Sequence, residues 1–337
     1  MIKKITFLLL FIFFSSSIFA KINFIIEPVF TYSTGFIGEN IYYPSLYNDS
    51  KKISYLKWER NIFQFGANLD FYYENFHATV CGLSSLFNQK SGKMFDSDWL
   101  NPDDYTMKTR YSKGNNESVE NFKTQIILFY DFNISKRFVF SPCITFQYNY
   151  DYFERKKSEG WYSSDNKHYW NDESSVHYPY TFTNNNGKIV TARLGEINFE
   201  DKLFFIWFGG KINFQPVKQC SFDFALQISP YAYFYALDTH MAQDKSSKEI
   251  YGRHYKMIQS SLFNAMNIIY DINYYINSVF ALKLEMSYSF IFEMKRGSCY
   301  TDFVGSDRQD SYFKTDQKSV INFENYTISL GIKIKTR

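Results

Sequence analysis

Beyond its first 20 residues the 337-residue chain has no run of about 18 apolar residues, which rules out an ordinary transmembrane helix. Its four cysteines, Cys81, Cys143, Cys220 and Cys299, are widely spread without a C-x-x-C pair, which argues against a zinc framework. Three of them read as small strand residues. An excess of one charge is also missing. Without Lys3 and Lys4, 35 of the 37 basic residues face 34 acidic ones, a formal charge of +1 that gives no case for binding nucleic acid. No serine or cysteine sits in a recognisable nucleophile motif, and His77, His168, His177 and His254 form no H-E-x-x-H spacing.

What the chain does have is aromatic residues, 21% of the total, with 29 Tyr and 37 Phe. Soluble domains seldom carry so many, whereas transmembrane barrels use them for interfacial girdles and a lipid-facing band. Met1-Ile2-Lys3-Lys4, the apolar stretch from Ile5 to Phe14 and the small residues up to Ala20 read as a signal peptide over residues 1–20, with the mature chain expected to start at Lys21.

Period-2 alternation recurs throughout the mature chain. Phe222, Phe224, Leu226 and Ile228 alternate with Asp223, Ala225, Gln227 and Ser229, and Ile328, Leu330, Ile332 and Ile334 with Ser329, Gly331, Lys333 and Lys335. One face is expected to meet lipid and the other a polar lumen. Ten such segments, near 22–43, 54–75, 76–90, 121–136, 137–157, 192–214, 218–240, 255–273, 274–297 and 320–337, predict an all-β, ten-stranded antiparallel transmembrane barrel spanning residues 21–337 as one domain. Tight turns are expected at Glu74-Asn75, Ile134-Ser135-Lys136, Gln215-Pro216-Val217 and Asp271-Ile272-Asn273. Long outer loops are expected at 44–53, 91–120, 158–191, 241–254 and 298–319. Within the third, Phe182 to Val190 reads as a hairpin closed by Asn186-Gly187 in a type I′ turn. Strands of about 20 residues exceed the 9 to 11 needed to cross hydrocarbon, so the barrel is expected to stand out of the membrane. A ten-stranded lumen is mostly filled by side chains, which weakens a porin reading.

Two acid motifs border the outer side. Asp96 and Asp98 are two apart, as are Asp238 and His240, and residues i and i+2 of an extended chain share a face. Close carboxylates repel and can share a proton. A carboxylate beside an imidazole orients it and stabilises its cation. Strict alternation from Phe222 would turn Asp238 outward, so a bulge is required, and Pro230, which cannot donate to the ladder, is the expected place. Taken singly, each motif is also compatible with a solvated acid. Asp96, Asp98, Asp103 and Asp104 together raise a calcium site as a rival.

The stretch Gly92-Lys93-Met94-Phe95-Asp96-Ser97-Asp98-Trp99 resembles the G-x-M-x-D-x-D-W context of the omptins, and Asp238-Thr239-His240 resembles their D-x-H at the top of the seventh strand. Glu324-Asn325-Tyr326 and Lys295-Arg296-Gly297 extend the likeness toward the end of the chain. The resemblance implies an outer-membrane endopeptidase with its site facing outward. Asp96 and His240 would hold the attacking water, Asp238 would orient His240, and Asp98 would complete the acid couple. It also implies polypeptide substrates cut next to basic residues, no metal, and dependence on lipopolysaccharide, of whose outer-wall site Tyr152, Glu154 and Arg155 resemble a part. The chain is expected to act as a monomer in outer-membrane lipid. Gly38-Glu39-Asn40-Ile41-Tyr42 resembles the family's context for the acid that binds the basic residue, making Glu39 the candidate. The family's second pocket acid falls on Ala236, and the chain ends Lys335-Thr336-Arg337 rather than in an aromatic residue. The alternative is a non-catalytic barrel, an adhesin or receptor acting through its long loops.

Overall fold

The computed structural model describes residues 23–43, 51–243, 250–303 and 313–335. The expected signal peptide and the chain end at Thr336-Arg337 lie outside them. Among the described residues, ten antiparallel strands close into one ring, the first pairing with the last from Ile25↔Lys335 to Tyr42↔Lys318. The first strand is Asn23–Tyr43. The second runs Lys51–Glu59 and resumes as Ile62–Tyr73, and the third runs Phe76–Ser84 and resumes as Gln89–Asp98. The fourth to seventh are Arg110–Tyr130, Phe138–Ser163, Glu196–Val217 and Cys220–Gln243. The eighth runs Ile250–Ser261 and Ala265–Tyr275, and the last two are Phe280–Phe303 and Phe313–Lys335.

Alternation sets the lower wall. Phe224, Leu226 and Ile228 are exposed on the outside, as are Ile328, Leu330 and Ile332, while Asp223, Gln227, Ser229, Thr327 and Ser329 are buried inside. The expected bulge is present. Ile228 faces Phe208 and Tyr231 faces Ile206, so Ser229 and Pro230 together oppose Trp207. Below it the odd-numbered residues of the seventh strand point inward. Above it Ala232, Phe234, Ala236 and Asp238 do.

The lumen is not polar along its whole length, contrary to expectation: an apolar layer separates a polar lower part from the polar mouth. In the lower part a cavity of about 280 Å³ is lined by groups such as Glu27, Asp70, His77, Asp271 and Lys283. Lys283 lies 2.7 Å from Glu285 and 3.5 Å from Asp271. Above it lies an apolar plug containing Trp58, Phe153, Phe199, Leu203, Trp207 and Phe234. The Trp58 ring stacks 5.1 Å from Phe199 and 6.2 Å from Phe153. Away from lipid the inside of the barrel is the drier side, so apolar residues face inward there. Arg60, at the break in the second strand, donates to Asp151 at 2.8 Å beneath the plug.

Several boundaries differ from expectation. Residues 91–120 are not one loop, because the third and fourth strands continue upward and leave only 99–109 between them. Inward residues such as Ser112, Asn116 and Ser118 are polar, so hydrophobic alternation fades while the backbone ladder persists. The fifth strand likewise reaches Ser163. The turn expected at Gln215-Pro216-Val217 lies two residues later, because Val217 pairs with Cys220, and Asp271-Ile272-Asn273 is strand, with the turn following Tyr275. The turn at Glu74-Asn75 is present, Glu74 having φ 53°. The hairpin also forms, with Thr183 opposite Ile189. Its turn is not type I′: Asn184 pairs with Lys188, and Gly187 with φ 69° closes a three-residue loop of the G1-bulge kind. Cys81, Cys143 and Cys220 are free strand residues.

Candidate active site

Asp96 lies in the upper third strand, between Leu56 of the second and Ser112 of the fourth. It is thus a ladder residue rather than part of a loop, and its carboxylate points inward, 6% exposed. Asp98 follows on the same face, level with Ser54, whose side chain hydrogen-bonds it. Across the mouth the bulge at Pro230 turns Asp238 and His240 inward. His240 Nε2 lies 2.6 Å from Asp238 Oδ2, Asp238 being 2% exposed. The imidazole itself is 36% exposed and meets the Tyr255 ring edge-on at 5.3 Å. With Nε2 committed to Asp238, Nδ1 is the nitrogen left to accept a proton.

The two motifs act on each other electrostatically. Burial pushes the Asp96 carboxyl above the usual carboxylate range, and His240 is the largest charge pulling it back. For Asp98, burial and then the Asp96 charge raise the value to about 7. Burial by itself would lower the His240 value, yet the charge and hydrogen bond of Asp238, joined by Asp96, hold it above the ordinary imidazole value. The couple is therefore built to share one proton opposite an imidazole kept basic.

Glu39, on the inner face of the first strand, is 1% exposed, and its Oε1 has no hydrogen-bond partner. Burial, then the charges of Asp238 and Asp201, push its carboxyl well up. Asp201 is a residue that sequence reasoning missed. Its signal lies in strand register, invisible in the local sequence: it sits directly opposite Ala236. Arg155 also differs from expectation. The resemblance groups it with Tyr152 and Glu154 on an outer wall, but it follows the inward parity of Asp151 and Phe153 and is buried behind Asp96. Asp103 and Asp104 do not join the acid couple. Both are exposed, and Asp104 accepts the Thr106 hydroxyl at 2.6 Å. Among the described residues no group of three metal-ligating side chains converges.

The omptin family model matches residues 32–336. No curated protein matches. Among solved structures, the outer membrane protease OmpT from Escherichia coli is 13% identical over 93% of this chain and 97% of its own, with a TM-score of 0.74. The toluene transporter TodX of P. putida is 7% identical over 94% and 90%, with a TM-score of 0.29. The transport unit of the Escherichia coli autotransporter AIDA-I is 12% identical over 93% and 90%, with a TM-score of 0.31. These last two scores are too low to bear on the fold. A barrel of ten strands, with two inward acid motifs at one mouth and a family match over nearly the whole described chain, identifies the protein as a member of the omptin family of outer-membrane proteases.

Proposed function

We propose that the chain is an endopeptidase whose site opens to the outer side of the membrane and that a water held by Asp96 and His240 attacks the peptide carbonyl. The observation that carries this reading is the placement of Asp96 and His240, from the third and seventh strands, in mutual electrostatic reach at one mouth. Neutral His240 takes the proton of the water at Nδ1, while its Nε2–H donates to the Asp238 carboxylate, which stabilises the imidazolium that forms. Asp98, protonated up to about pH 7, completes the acid couple as its proton-bearing member. No acyl-enzyme is required, because the nucleophile is water.

Glu39 is proposed to bind the basic residue before the cut. The charges that act on it, those of Asp238 and Asp201, are both acidic, so a guanidinium or ammonium entering there meets acceptors rather than a competing cation. Lipopolysaccharide dependence is part of the proposal. Tyr148, Tyr150 and Tyr152 line the outward face of the fifth strand, and Lys202 lies near the Tyr150 and Tyr235 rings. The test uses refolded full-length protein and basic peptides, with and without lipopolysaccharide. Wild type is expected to cleave, and Asp96→Ala or His240→Ala to lose about 10² to 10⁴ in rate. Equal cleavage by either variant would sink the assignment.

A further inference from the structure

Arg155 is 2% exposed, and no carboxylate lies within ion-pair distance of it among the described residues. Buried charges are ordinarily paired, because desolvating an unpaired ion is costly. Its hydrogen bonds go instead to neutral groups: Nη1 donates to Ser112 Oγ at 2.9 Å and lies 3.8 Å from Met94 Sδ, and Nη2 donates to the Gly195 carbonyl at 2.9 Å. Nε has no partner.

Ser112 is fully buried and stands opposite Asp96 in the ladder. Its hydroxyl, accepting from Arg155, donates toward Asp96 Oδ2 at 3.5 Å. A cation, a hydroxyl and a carboxylate thus form one chain of donors ending on the acid that faces His240.

The backbone is shaped around this arginine. A Cβ on Gly114 would lie 2.5 Å from Arg155 Cγ, near the root of the side chain, where rotation offers little relief. Beside it, the ladder between the fourth and fifth strands slips between Lys113 and Asn115, where Lys157 takes φ 52°. Such a positive φ in a non-glycine residue persists where the surroundings require it.

We propose that Arg155 is a positioning residue for the acid couple: through Ser112 it holds Asp96 ionised and aimed at His240, leaving the shared proton on Asp98. The inference rests on the reading of Asp96 and His240 as the water-holding pair. The other titratable groups facing Asp96 are Asp98 on its own strand, Arg110 on the fourth, Tyr162 on the fifth, which also meets Ser112, and Asp238 and His240 on the seventh. Arg110 donates through Nε to Asn166 at 3.0 Å, which leaves Arg155 as the cation linked to Asp96 through a hydroxyl.

The sign follows from charge. A cation favours the carboxylate form of Asp96 and the neutral form of His240, and its removal raises both titrations. In Arg155→Met the acid limb of kcat is therefore expected to move up by about one pH unit, the low end of what a neighbouring charge produces. KM should change little, and Arg155→Lys should restore the limb. Ser112→Ala, a smaller change that keeps the charge, should lower kcat with a smaller shift.

The direct readout is the carboxyl ¹³C titration of Asp96 in folded full-length protein, its signal assigned by its loss in Asp96→Asn. A midpoint that rises in Arg155→Met and returns in Arg155→Lys supports the proposal, even if no peptide is cleaved, in which case the peptidase reading alone fails. An unmoved midpoint overturns it. Should Arg155→Met not fold, Ser112→Ala decides by the same titration.

Discussion

Asp201 of the sixth strand stands directly across the ladder from Ala236 of the seventh, and its fully buried carboxylate has no hydrogen-bond partner at either oxygen. Ala236 holds the position of the second pocket acid in the resemblance drawn from sequence. The methyl side chain leaves space, and the neighbouring strand supplies a carboxylate that acts on Glu39. The pocket proposed for the basic residue is thus electrostatically more complete than Ala236 suggests.

From this we expect Asp201→Asn and Glu39→Gln each to reduce the preference for Arg over norleucine before the cut by roughly tenfold or more, the scale of a charge-assisted hydrogen bond. Ratios of kcat/KM for paired peptides measure it. A ratio unchanged in Asp201→Asn would confine Asp201 to a structural role beside Asp151 and Arg60.

A second expectation concerns pH. In the proposed mechanism His240 acts as a base only when neutral, and its value is held above the ordinary imidazole one. Acidification therefore removes the neutral form early, and the acid limb of kcat should lie above pH of about 6.5. Asp98 carries a proton up to about pH 7, so Asp98→Asn imitates it. At pH 6 that variant should keep kcat within roughly tenfold of wild type, about 1.4 kcal/mol, whereas Asp96→Asn loses about 10² to 10⁴. A pH–rate series on the two variants separates the roles; equal losses would contradict the division.

The third concerns the plug. Trp58 is fully buried and stacks on Phe199 and Phe153, directly below Leu56, the ladder neighbour of Asp96. Trp58→Ala should cost about 3 to 5 kcal/mol, the usual range for emptying an aromatic site in a core. Urea unfolding in micelles measures this, and a midpoint equal to wild type would mean that the plug collapses around the gap.

How far the sequence carried depends on the kind of residue. The bulge at Pro230 was legible because Phe222 to Ile228 and Asp238 demand opposite faces, and only one residue between them lacks an amide donor. The acid motifs were legible as i, i+2 pairs. The outer halves of the third and fourth strands were not, since Ser112, Asn116 and Ser118 face inward without an apolar signal. Arg155 and Asp201 escaped for a different reason. Their partners, Ser112 and Ala236, are set by strand register, a long-range property that slips by one residue at each bulge.

The apolar plug also fixes the traffic of the molecule. With Trp58, Phe199, Trp207 and Phe234 packed between them, the polar floor cavity and the acid mouth are separate compartments. The barrel is a cup rather than a conduit. Under the proposed function, a chain segment cut at the rim would leave by the side from which it came, and product release would compete with substrate arrival at a single opening.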